Sequence, residues 1–288
     1  MLPQSIDIRI TRKCNLNCSF CFGTKCLDNE LCISDWEFLL ARFKSHGVKC
    51  VIITGGEPTL YPWINRFISY AKNLDYYVVL STNGTIPIDY ELMKGIDVLS
   101  IPIDGEQYDD CYKMRKITRN EYDTLMHNIS LFKKSFPNKK LKIGTVITKK
   151  NIDNVSNILF LIENYVDIWK LYQVSRHNNN NLIYEKELMI SDHQFDGVQK
   201  QIKQMSSKNK IKTVFYKANE RDGKYLFCEP NGDAMIIKYD EEVVIGNFKE
   251  DFYKVLDKWS AFVDIKRLND NLVETYLSSK EDINGYTH

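Results

Sequence analysis

The sequence predicts an α/β protein built on parallel strands, and three observations carry that reading. Short apolar runs alternate with longer amphipathic stretches from the N-terminus to about residue 175. Several runs, such as Val51-Ile52-Ile53, are apolar without alternation, which suits parallel strands covered on both faces. Six such β–α units in a row imply right-handed crossovers and either an open doubly wound sheet or a partial barrel. In both architectures chemistry collects at the carboxyl ends of the strands.

The candidate strands are Ile6–Thr11, Val51–Thr54, Tyr77–Ser81, Val98–Pro102, Leu141–Thr148 and Trp169–Ser175. Between them, apolar residues at helical spacing predict helices over Ser34–Ser45, Trp63–Lys72, Tyr122–Lys134 and Asp153–Asn164. Ser34 reads as an N-cap, with Glu37 at the capping-box position. After Ser175 the pattern changes. The run Asn178–Asn181 reads as a loop, and a helix is expected over Ser191–Ser206. Tyr225–Cys228, Ala234–Lys238 and Val243–Ile245 read as a small meander, turned at Pro230–Asp233 and at Asp240–Glu242. Phe252–Trp259 is expected to form a last helix.

Composition narrows the partners. The 288 residues are 43% hydrophobic and 27% charged, ordinary values for a globular chain with a core. Net charge is +1 with no basic stripe, so nucleic acid is not an expected partner. No apolar run approaches the roughly 18–20 residues that cross a bilayer, and no membrane partner is expected. The first ten residues lack the blocks of a signal peptide, which makes a cytoplasmic location the expectation. The eight cysteines agree, since three cluster and the others are scattered.

That cluster carries the chemistry. Cys14, Cys18 and Cys21 stand within eight residues, directly after the first candidate strand. Three soft ligands at short range suit iron–sulfur or zinc, and a structural zinc site wants four. Cys26 is the obvious fourth. Two readings therefore compete: a closed four-thiolate centre for electron transfer, or a three-thiolate cluster with one open iron. Later strands end in Gly55-Gly56-Glu57-Pro58, Ser81-Thr82-Asn83-Gly84 and Pro102-Ile103-Asp104-Gly105.

With these strand ends the sequence resembles the radical S-adenosylmethionine (SAM) superfamily over about its first 175 residues. The superfamily signature is Cys-x3-Cys-x2-Cys with an aromatic before the last cysteine, here Phe20. The resemblance implies a partial (βα)6 TIM-like barrel over residues 1–175, with residues 176–288 as a small C-terminal α+β cap. It implies that Cys14, Cys18 and Cys21 ligate a 4Fe–4S cluster whose fourth iron receives the methionine moiety of SAM. Gly55, Gly56 and Glu57 would receive the methionine amino group. Ser81, Asn83 and Asp104 would contact methionine or ribose, Arg115 the carboxylate, and Gly144 and Val146 the adenine. The implied chemistry is reductive cleavage of SAM to a 5′-deoxyadenosyl radical that takes hydrogen from a substrate. An electron donor such as flavodoxin or ferredoxin is implied with it.

Within the superfamily the sequence is most similar to viperin-like nucleotide-modifying members. Thr11-Arg12, Cys21-Phe22, Lys142-Ile143, Val146-Ile147 and Trp169–Gln173 carry this likeness. It implies that Lys142 and Lys170, joined by Lys25, clamp the phosphates of a nucleotide or other small phosphorylated substrate. The chain departs from viperins at Asp7, Arg9 and Leu16, where they carry asparagine, histidine and tyrosine. Two alternatives stay open: modification of a peptide or natural product, with Cys228 as a hydrogen-donor candidate, and a non-enzymatic electron carrier that uses Cys26. Cys32, Cys50 and Cys111 read as packing residues, and His177 as a loop residue.

Overall fold

The protein is described by a computed structural model covering residues 2–21, 29–176, 182–206, 210–239 and 241–263. Seven parallel strands form its centre: β1 (Ser5–Thr11), β2 (Cys50–Gly55), β3 (Tyr77–Ser81), β4 (Val98–Pro102), β5 (Lys140–Ile147), β6 (Ile168–Gln173) and β7 (Lys212–Tyr216). Their connections hold α1 (Ile33–Ser45), α2 (Ile64–Asn73), α3 (Tyr90–Gly95), α4 (Tyr108–Arg115), α5 (Arg119–Ser135), α6 (Ile158–Ile162), α7 (Leu182–Leu188) and α8 (Asp192–Met205). A three-stranded meander follows, made of β8 (Leu226–Cys228), β9 (Asp233–Lys238) and β10 (Glu241–Asn247), and then α9 (Phe252–Phe262).

All ten strands belong to one sheet, in the order β10-β9-β8-β1-β2-β3-β4-β5-β6-β7. Residues of β1, β2, β5, β6 and β8 line a single cavity, so the sheet is curled into a partial barrel. On the outer face Ile6, Ile8 and Ile10 of β1, with Val51 and Ile53 of β2, pack against Trp36, Leu40, Phe43 and Phe67 of α1 and α2. On the inner face Cys50, Ile52, Val79, Val98 and Ile168 form a smaller apolar cluster at the amino ends of β2, β3, β4 and β6. Two buried faces explain why a strand such as β2 reads as a continuous apolar run.

The six predicted strands are present, each within two residues of the expected ends. The expected meander also forms, but β8 pairs in parallel with β1. The residues after 175 thus extend the barrel sheet at both edges, with β7 beside β6 and β8 beside β1. β7 itself escaped the sequence reading, as did α3, α4 and α7.

Capping differed in two places. α1 starts at Ile33, with Cys32 as N-cap, whose amide donates to Asp35 Oδ2 at 3.3 Å. Glu37, assigned to that cap from sequence, instead takes Arg66 of α2 at 2.7 Å. α5 starts at Arg119, three residues early, because Thr118 and Glu121 make a reciprocal capping box. The stretch Asp153–Asn164 is helical over Ile158–Ile162, preceded by a 3₁₀ turn at Val155–Asn157. Phe22, Lys25, Cys26, His177, Asn178–Asn181 and Asp240 lie outside the described residues.

Candidate active site

A cavity of about 360 Å³ opens at the carboxyl ends of the strands and runs inward along β1 as far as Ser5. Cys14, Cys18 and Cys21 line it, on the loop leaving β1. The Cys21 amide donates to the Cys18 carbonyl at 3.2 Å, which turns that loop back on itself. The Leu16 amide and the Asn83 side chain both lie against Cys14 Sγ, at 3.4 and 4.0 Å. Burial pushes the thiols of Cys14 and Cys18 up, while Arg115 pulls Cys18 the other way.

The donor set fits an iron–sulfur cluster. Three thiols share one rim of the cavity, and soft thiolate donors at this short range are the ligands an iron–sulfur cluster takes. The remaining described cysteines are occupied elsewhere. Cys32 caps α1, Cys50 packs in the inner apolar cluster, and Cys111 donates to the Gly105 carbonyl at 3.6 Å.

The loop after β2 is fastened to the loop after β1. Gly56 N donates to Thr11 O at 2.8 Å and Glu57 N to Lys13 O at 2.7 Å. A Cβ on Gly55 would stand 2.3 Å from Thr11 O, and one on Gly56 2.2 Å from Lys13 O. Both positions require glycine because two backbones touch there, and both glycines also line the cavity.

Glu57 departs from expectation. It is fully buried, off the cavity wall, and its carboxylate accepts from Thr59 N, Thr59 Oγ1, Thr82 Oγ1 and Asn83 N at 2.6–3.0 Å. These four donors tie the β2 and β3 loops together through Glu57. Asn83 lines the cavity, but its side chain bridges Asn15 and Thr85, at 2.9 and 2.7 Å. Ser81 lines the cavity beside it.

Asp104 is also off the wall, buried behind Arg115. Its carboxylate accepts from Arg115 Nε at 2.6 Å and from Val146 N at 2.9 Å. Arg115 reaches the cavity with its guanidinium carbon 5.0 Å from the Phe20 ring centroid and Nη1 3.9 Å from Cys18 Sγ. Burial alone would weaken its charge; Asp104 and Cys18 outweigh that and hold the guanidinium protonated. Val146 lines the cavity, whereas Gly144 does not, lying in the β5–β6 ladder with its carbonyl accepting from Ile103 N at 3.1 Å.

A sequence model of the radical SAM superfamily matches residues 8–162, more than half of the chain. The chain belongs to the radical SAM superfamily. The S-adenosylmethionine-dependent nucleotide dehydratase of Selenomonas ruminantium is 26% identical over 90% of this chain and 95% of its own length. That of Flammeovirga pacifica is 25% identical over 91% and 94%. Among solved structures, SuiB of Streptococcus suis bound to S-adenosylmethionine superposes with a TM-score of 0.67 at 20% identity. The match covers 81% of this chain and only 59% of SuiB, and it speaks for the partial barrel alone. As a superfamily enzyme the protein uses a 4Fe–4S cluster and SAM, the cluster supplying the electron that cleaves SAM to a carbon radical.

Below the thiols, the cavity of this radical SAM enzyme is cationic. Arg9, Arg12, Arg115, Lys142, Lys170, Arg221 and Lys224 line it, against one lining carboxylate among the described residues, Asp7. Arg9 Nη1 meets Glu229 at 2.6 Å and Glu242 at 2.8 Å, and Arg12 also pairs with Glu229. Lys142 and Lys170 are 6% and 4% exposed and face Asp7 across the barrel. Burial draws the Lys142 pKa down to about 8, with Asp7 and Cys50 opposing. Lys170 Nζ stands 4.6 Å from the Tyr216 ring centroid, and Lys224 Nζ 5.0 Å.

Several lining residues escaped the sequence reading. Arg221, Lys224 and Tyr225 come from the segment that carries the chain from β7 at one sheet edge to β8 at the other. Gln173 anchors this strap, accepting from Ala218 N at 2.9 Å through its side chain and from Arg221 Nη2 at 2.7 Å through its carbonyl. Sequence spacing held no sign of it. β1 did carry a sign, because Ser5, Asp7 and Arg9 alternate with isoleucines in a central strand that has no solvent face. Cys228, the hydrogen-donor candidate, is fully buried in the apolar core and is not among the residues that line the cavity.

Proposed function

We propose that the enzyme directs its radical chemistry at a nucleotide whose phosphates enter the cationic interior of the barrel. One observation carries this: the thiol-lined mouth and the Lys142–Lys170 wall belong to a single cavity, so a substrate held by its phosphates would extend toward the radical source. Cys14, Cys18 and Cys21 hold the cluster, and Arg115, oriented by Asp104, faces the methionine carboxylate. Gly55, Gly56, Ser81 and Asn83 shape the SAM wall, and Val146 lies against the adenine. Lys142 and Lys170 hold the phosphates, with Arg221 and Lys224 adding charge to the same cavity. Ammonium groups in a cavity that excludes water bind phosphate far more strongly than exposed ones. The nucleotide dehydratases that match this chain nearly end to end support the same reading. A low-potential electron donor such as flavodoxin or ferredoxin would supply the electron.

The test is the effect of Lys142→Ala and Lys170→Ala on nucleotide saturation. Each is expected to raise KM for the nucleotide by roughly tenfold or more while SAM binding stays unchanged, as loss of one charge-assisted contact gives. Unchanged nucleotide KM in both variants, or activity on peptides in their place, would turn the reading to the peptide alternative.

A further inference from the structure

Asp7 sits on the inner face of β1, two residues before Arg9, as the one cavity-lining carboxylate among the described residues. Its neighbours in charge are Lys170 and Lys142 across the barrel and Arg9 on its own strand, all lining the same cavity. Other carboxylates that answer lining cations stand behind the wall, Glu229 and Glu242 with Arg9 and Arg12, and Asp104 with Arg115. Asp7 therefore shares with the substrate the space that the two lysines govern. Burial raises its pKa to about 6, so it carries its charge at neutral pH and above.

We propose that Asp7 is a specificity-determining residue that sets how much negative charge the cavity accepts, favouring the less phosphorylated of two otherwise identical substrates. The proposal rests on the reading of the cavity as a nucleotide site. Each further phosphate adds a charge that the lysines attract and Asp7 repels. At several ångströms in a partly buried site, one carboxylate weighs against one added charge by roughly tenfold in affinity. Removing that carboxylate leaves the attraction undivided.

The experiment uses the cluster-reconstituted full chain at pH 7.5 without magnesium. Isothermal titration calorimetry compares pyrophosphate with tripolyphosphate, and adenosine, cytidine, guanosine and uridine diphosphates with their triphosphates. The quantity read is the ratio of triphosphate to diphosphate Kd, which general loosening of the fold would not move. Asp7→Asn is expected to lower that ratio by roughly tenfold, and Asp7→Glu to keep it at the wild-type value. Asp7→Ser repeats the test on a smaller side chain should Asp7→Asn fail to fold. An unchanged ratio in the neutral variants, with wild-type protein binding these anions, overturns the role of Asp7 alone. If the wild type binds none of them, the nucleotide reading fails and the proposal falls with it.

Discussion

Arg115 Nε donates to Asp104 Oδ2 at 2.6 Å, and Asp104 Oδ1 accepts from Val146 N at 2.9 Å. One buried carboxylate thereby fixes the guanidinium at the rim and the start of the wall expected to meet adenine. Asp104→Ala would leave Arg115 without its partner in a site where that side chain is only 14% exposed. Breaking a buried pair from one side costs about 3–5 kcal/mol. The expected outcome is weaker SAM binding with near-normal iron content, measured by equilibrium dialysis and iron assay. Normal SAM affinity would show that Arg115 does not depend on Asp104.

Glu57 predicts a different phenotype. Its Oε2 accepts from Asn83 N at 2.7 Å, while Oε1 serves Thr59 and Thr82. In Glu57→Gln the amide NH₂ would oppose the Asn83 N–H, stranding a buried donor at about 1–3 kcal/mol. Urea unfolding should show that loss, and SAM affinity should fall through displacement of the β3 loop. Full stability with abolished SAM binding would instead indicate direct contact with SAM.

Lys142 gives a pH signature. Its folded-state pKa of about 8 lies below the ordinary 10.5, chiefly through burial. Between those values the unfolded chain binds a proton that the folded chain has released, so this group makes stability rise with pH. Relative to Lys142→Met, the wild type is expected to gain stability from pH 8 to pH 10.5, followed by urea titration at each pH. Parallel curves for the two proteins would contradict the buried placement of the ammonium.

Cys228 is fully buried, with Sγ 3.8 Å from the Glu229 carbonyl. Cys228→Ala should therefore retain both SAM cleavage and substrate turnover, with a stability loss on the order of 1 kcal/mol. Retained SAM cleavage with abolished turnover would restore Cys228 as a hydrogen donor.

The division between what was and was not legible follows the range of the signals. Short apolar runs located six of the seven parallel strands: in β2 the run is unbroken, as burial on both faces allows, while β1 alternates charges with isoleucines. Cys14, Cys18 and Cys21 were legible because their spacing is local. The roles of Glu57 and Asp104 were not, since a carboxylate facing a ligand and one turned to Thr82 or Arg115 look alike in sequence. Arg221 and Lys224 were hidden for a topological reason. Only the crossing from β7 to β8 brings them onto the cavity wall that Lys170 lines, and no local pattern encodes it. Asp7 and Arg9 lay between, visible as charges alternating with Ile6, Ile8 and Ile10, a pattern that marks an inward face but not what that face binds.

The central claim is that the thiol-lined rim and the cationic interior serve one reaction on one phosphorylated substrate. Anaerobic incubation of the reconstituted protein with SAM and reductant measures 5′-deoxyadenosine, with nucleotides or short peptides added in turn. A rise in 5′-deoxyadenosine on adding a nucleotide, lost in Lys170→Ala, is the expected result. Cleavage of SAM that ignores every nucleotide and rises with a peptide would contradict it.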